Sequence, residues 1–240
     1  MGYHGFDIMN YPGDNAVADF RNGGVFSWVG FYLGGPTYLG RKRPGSHQSS
    51  TWTGPAYNHL RRLGYGVTPI YCGLQPAASR GLEKPGAAAS SGESDARTAI
   101  TYARDVGLVA GTAMFLDVEG GNSLPPQMIE YALAWTRHLD QNSPYWGAVY
   151  CNLIPARDLR NAGFSGAIWL ARWTCSSGRC PTLPNCGPSS CGNPCPPDLA
   201  REPHAGFPLQ QYAGNVHVRQ GGTCLVVDLN VSNAPNPANS

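Results

Sequence analysis

Charge is scarce in this 240-residue chain: only 13% of its residues are Asp, Glu, Lys or Arg, and the formal net charge is +2. So near-neutral a balance, with Arg41-Lys42-Arg43 as the one basic cluster, excludes nucleic acid and anionic membrane as main partners. The chain holds no apolar run of about 18 residues, so no segment reads as a membrane span. A charged-then-apolar leader is missing as well, and a targeting peptide is expected to be absent or already removed. With no His-Glu-x-x-His set, metal-dependent hydrolysis is left with carboxylates alone as ligands for a hard cation. No Gly-x-Ser-x-Gly elbow supports a serine hydrolase, and nothing calls for a cofactor. Internal repeats are absent too.

Cysteine, by contrast, is plentiful. Cys175, Cys180, Cys186, Cys191 and Cys195 crowd a stretch that also carries Pro181, Pro184, Pro188 and Pro194. Such a segment forms neither a core nor a long helix and must be held by cross-links or metal. Zinc ribbons bring paired C-x2-C ligands, whereas no such pair and no histidine occurs in this window. Disulfides are the stronger reading. Cys72, Cys151 and Cys224 end apolar segments, and the even total of eight fits four disulfides and an oxidising, extracellular or cell-envelope destination.

The length suits one domain over residues 1–240, with 174–206 as a cysteine-rich insertion. Short apolar strands alternate with helical patterns, the mark of parallel α/β architecture. Strands are expected at Gly2 to Asn10, Phe26 to Leu33, Gly66 to Cys72, Thr112 to Glu119, Trp146 to Cys151, Ala167 to Trp173, Phe207 to Tyr212 and Thr223 to Val231. Helices are expected near Asn15 to Asn22, Pro55 to Leu63, Ser94 to Val106, Pro126 to Gln141 and Pro155 to Asn161, with a long loop over Gln75 to Ser91. The fold class is therefore an irregular TIM-like barrel, about five βα units followed by three plain strands.

The acidic strand Phe115-Leu116-Asp117-Val118-Glu119 runs into Gly120-Gly121. Side chains alternate along a strand, so Asp117 and Glu119 share one face and sit where the strand stops. The carboxyl ends of parallel barrel strands meet at one mouth, which also collects Asp7, Asp228, Tyr32, Tyr71, Tyr150, Asn152, Trp169, Trp173, Gln210 and Tyr212. Carboxylates ringed by aromatics suit a sugar site: rings stack on pyranose faces while acids move protons. Core packing is the competing reading of the rings, and ion pairing or loop capping that of the acids.

These segments carry a family resemblance. Gly5-Phe6-Asp7, the acidic strand, Ala148-Val149-Tyr150-Cys151-Asn152, Ile168-Trp169-Leu170-Ala171-Arg172-Trp173, Gln210-Gln211-Tyr212 and Val227-Asp228-Leu229-Asn230 occur in the order seen in family 25 glycoside hydrolases, the Chalaropsis-type lysozymes. The chain resembles more closely still a related bacterial glycoside-hydrolase-like domain of unknown function. The resemblance implies hydrolysis of the β-1,4 bond after N-acetylmuramic acid in peptidoglycan. It makes Glu119 the proton donor, its pKa raised by Asp117 and Asp7, and adds Asp7 and Asp228 as the aspartates of the first and last strands. A tryptophan usual beside the Gln-Gln-Tyr motif is Leu209 or Gln210 here. The expected function is thus a secreted glycosidase acting on a cell-wall polysaccharide such as peptidoglycan, with no metal or cofactor. The alternative is a barrel that binds glycans or another partner without turnover, through its disulfide-rich insertion.

Overall fold

A computed structural model describes residues 2–39, 52–176 and 190–239. Eight strands close a barrel in sequence order: β1 (Tyr3–Asp7), β2 (Phe26–Gly34), β3 (Gly66–Tyr71), β4 (Ala113–Val118), β5 (Trp146–Asn152), β6 (Ile168–Ser176), β7 (Leu209–Gln220) and β8 (Thr223–Ser232). Neighbours from β1 through β7 run parallel, whereas β8 is antiparallel to both β7 and β1. The mixed, TIM-like barrel expected from the alternation is the observed fold.

The strand period of two sorts side chains into an inner and an outer layer. Val29, Phe31, Met114, Leu116, Val118, Val149 and Cys151 join helix residues such as Val17, Phe20, Leu60, Ala99 and Trp135 in the outer core. Inside the barrel, Trp28, Ile70, Phe115, Ala148, Trp169 and Leu209 fill a separate apolar plug. The helices are α1 (Asp14–Asn22), α2 (Pro36–Leu39), α3 (Gly54–Arg62), α4 (Pro76–Ser79), α5 (Ala87–Val106), α6 (Pro126–Asn142) and α7 (Leu153–Asn161).

Short helices α2 and α4 fall where no helix is expected, and two longer elements also differ from expectation. Helix α5 begins at Ala87, inside the expected loop, because the small residues Ala88, Gly92, Ala96, Ala99 and Ala103 form one buried stripe. At Gly92 a Cβ would lie 2.4 Å from the Tyr131 carbonyl oxygen, so the Ser-Ser-Gly that reads as a loop is instead a close helix contact with α6. Strand β7 runs on to Gln220 and forms a long hairpin with β8, since burial continues through Ala213, Val216 and Val218.

One disulfide, Cys191–Cys224, ties the described end of the cysteine-rich insertion to β8, and Cys195 is also disulfide-bonded. The pairing of Cys175, Cys180 and Cys186 falls outside the described residues, as does the basic cluster 41–43. Four disulfides do not form: Cys72 and Cys151 are buried as thiols rather than bridged. Both follow the apolar runs of parallel strands, where a small hydrophobic side chain suffices.

Candidate functional site

Directly above the apolar plug, the inner face turns polar. Asp7 ends β1 and is 2% exposed. Its Oδ1 accepts from the Tyr32 hydroxyl at 3.0 Å, and its Oδ2 from Asn230 Nδ2 at 2.8 Å and Gln211 Nε2 at 2.9 Å. The same Gln211 nitrogen donates to Asp228 Oδ2 at 3.1 Å. One amide therefore bridges two carboxyls. Its orientation is fixed from the other end, where Gln211 Oε1 accepts from the Tyr150 hydroxyl at 2.7 Å and from the Trp173 indole N–H.

Local irregularities make this possible. Gly30 occupies the inner face beside β1, and a Cβ there would lie 2.4 Å from the Asp7 Cβ. Only glycine leaves Asp7 its place. The β7–β8 register shifts twice between Gln211 and Val216, and within that bulge Asn215 takes a left-handed φ of 55°. The bulge aims the Asn215 backbone N–H at Asp228 Oδ1, 2.6 Å away.

Burial, reinforced by the charge of Asp7, pushes Asp228 up to about 8, against a lowering pull from the Asn215 N–H. Asp7 is raised too, by burial, with its hydrogen bonds from Gln211, Asn230 and Tyr32 opposing the rise. The pair thus retains a proton at neutral pH. Burial also raises Tyr32 and Tyr150, which stay neutral donors. Because both carboxyls are raised, the folded protein holds protons that the unfolded chain has released, and stability falls as pH rises from about 4 to about 8. Thermal melts should show that fall. Asp228→Asn, which cannot ionise, should flatten it, and an equal fall in the variant would remove Asp228 as its cause.

Asp117 and Glu119 flank Val118, the last residue of β4. Asp117 is buried and Glu119 exposed at the rim. Gln75 fixes the strand end from both sides: its Nε2 donates to the Asp117 carbonyl at 3.0 Å, and its Oε1 accepts from the Glu119 N–H at 2.8 Å. All four acids line one cavity of about 420 Å³, together with Tyr32, Tyr150 and Trp173. Asn152 joins Glu119, Tyr150 and Trp173 around an adjoining hollow. Trp173 leaves 47% of its surface exposed.

Four expected contact residues lie elsewhere. Tyr71 is fully buried on the outer face of β3, stacked on Trp135 at 5.9 Å. Tyr212 also belongs to the outer core, under Arg201. Gln210 is buried and donates to the Arg172 carbonyl, so its neighbour Gln211 faces the carboxyls instead. Trp169 does face inward, but it is fully buried in the plug, where its indole N–H orients Asn230 at 3.0 Å. The sequence reading missed Gln211 and Asn215, whereas Asn230 stands beside Asp228 on the same expected strand end. The first was findable by counting two steps from Leu209 along β7. Among the described residues, no three His, Cys, Asp or Glu side chains converge as a metal-binding group.

Known proteins share this arrangement of strands. An uncharacterised protein from B. stearothermophilus is 19% identical, with 99% of each chain covered and a TM-score of 0.62. The Tat-secreted protein Rv2525c of Mycobacterium tuberculosis, crystallised with HEPES, is 16% identical over 98% of this chain and 96% of its own, at a TM-score of 0.60. A family 25 glycosyl hydrolase from Bacillus anthracis is 13% identical over 97% and 89%, at 0.57. Likenesses at these identities establish the fold. No curated protein matches the chain. A family model does: the Rv2525c-like, glycoside hydrolase-like domain matches residues 24–232, and the chain belongs to that family.

Proposed function

We propose that the protein is a glycoside hydrolase acting on a β-linked cell-wall glycan of the peptidoglycan type, outside the cytoplasm. The observation that carries this reading is one cavity at the barrel mouth holding Asp7, Asp117, Glu119 and Asp228 beside aromatic rings. Structural neighbours that include a family 25 glycosyl hydrolase and a spore cortex lytic enzyme agree with it. A Tat-secreted neighbour and a disulfide support the location.

Glu119 stands at the rim with its carboxyl free to reach a bridging oxygen, and it donates the proton to the leaving sugar. Asp117, one turn of the pleat deeper, lies on the same side of the strand. The Asp7–Asp228 pair faces the cavity from the opposite wall, and its negative charge stabilises the oxocarbenium-like transition state. The raised acids of the mouth are Asp7 and Asp228.

One observation favours a second reading. Both oxygens of Asp7 are already engaged by protein donors, as befits a structural acid in a glycan-binding barrel. Release of reducing ends from purified peptidoglycan separates the two. Glycan binding by the intact protein with no turnover selects the binding barrel.

A further inference from the structure

Four neighbouring hollows share Glu119 in their walls, and their charges are segregated. Asp7, Asp117 and Asp228 line the hollows on the barrel side. On the other side lies a cavity of about 460 Å³ walled by Gln75, Pro76, Ala77, Arg80, Gly120, Asn122, Ser123 and Pro125, with Glu119 as its one carboxylate. Among the described residues, Arg80 is the one cation in any of these walls, and it makes no hydrogen bond or ion pair with any of them. Its position is built. Arg80 caps the short helix α4, and Gln75, at the start of that helix, is bonded to both Asp117 and Glu119 by the backbone contacts described above. The guanidinium is thus carried on a turn stapled to the acidic strand.

We propose that this cavity is a subsite for a carboxylate-bearing sugar unit, with Arg80 as its counter-ion. The inference rests on the glycosidase or glycan-binding reading above. An anionic substituent is repelled from the side of Asp7, Asp117 and Asp228 and attracted to the Arg80 side. A glycan that alternates neutral and acidic units is therefore laid across Glu119 in one direction only, acidic unit toward Arg80. The carboxylate has two sources in peptidoglycan, the lactyl group of the sugar and the stem peptide.

Binding to the intact protein and to Arg80→Ala, followed by tryptophan fluorescence, tests this with three probes: neutral chitooligosaccharide, peptide-free glycan strands bearing lactyl carboxylates, and peptide-bearing strands. Arg80→Ala should weaken binding of acidic strands about fivefold, an effect that fades at high salt, and leave the neutral probe unchanged. Loss on peptide-free strands alone assigns the lactyl carboxylate, which an amide bond consumes in peptide-bearing strands; loss on peptide-bearing strands alone assigns the peptide, and loss on both assigns a subsite that takes either carboxylate. Equal affinities of both proteins for all three probes would overturn the subsite while leaving glycan recognition intact. Absence of binding to any probe by the intact protein would instead overturn the reading beneath it.

Discussion

Replacing Glu119 by glutamine is expected to reduce release of reducing ends from peptidoglycan by about 10²–10⁴-fold, the usual contribution of a general acid. Gln keeps the size and hydrogen-bonding reach of Glu and removes only the transferable proton. The local structure does not depend on the carboxyl, because the strand end is fixed through the Glu119 backbone N–H and Gln75. The melting temperature should therefore stay within a degree or so of the parent, which separates loss of chemistry from loss of fold. Glu83→Gln, outside the cavities that share Glu119, serves as the control. Undiminished turnover in the Glu119 variant would return the proton-donor role to the Asp7–Asp228 pair, which already holds a proton near neutrality.

A second large effect is expected at Gln211. Leucine fills a similar volume but neither donates to the two carboxyls nor accepts from Tyr150 and Trp173. The buried Asp7 then loses a donor, and the tyrosine hydroxyl loses its acceptor. Unsatisfied buried groups cost about 1–3 kcal/mol each, so Gln211→Leu should lower stability by roughly 2–4 kcal/mol in denaturant titrations. The effect on catalysis should fall on kcat more than on KM, because Gln211 positions the pair in the cavity wall without lining the cavity itself. A variant with the parent's stability and pH profile would show that Asp7 and Asp228 hold each other without the amide.

Much of this architecture could be read from residue order, and the failures have a common physical origin. The D-x-E strand ends in glycines and keeps its alternation, so Asp117 and Glu119 fall on one face as expected. Strand β3, by contrast, is buried along its whole length, and Leu209 to Tyr212 of β7 are likewise buried on both faces. Where both faces of a strand are covered, polarity no longer marks which one looks inward. For that reason the sequence does not distinguish Tyr71, Gln210 and Tyr212, which lie off the carboxyl-bearing face, from Gln211, which lies on it. Trp169 failed differently: it faces inward as expected but one layer too deep, a distinction set by barrel stagger rather than by local pattern. Counting cysteines failed because Cys72 and Cys151 serve as hydrophobic side chains.

The closing seam of the barrel also governs when the protein becomes competent. Asp7 and Asp228 stand opposite each other in the antiparallel pairing of β1 with β8, and the Asn230–Asp7 hydrogen bond spans 223 positions of sequence. Contacts of such separation form late, since the intervening chain must be ordered first. During synthesis, Asp7 emerges early and meets Asp228 and Asn230 only once β8 has left the ribosome. Barrel closure and assembly of the carboxyl pair are then a single folding step, and no partly folded chain carries the pair.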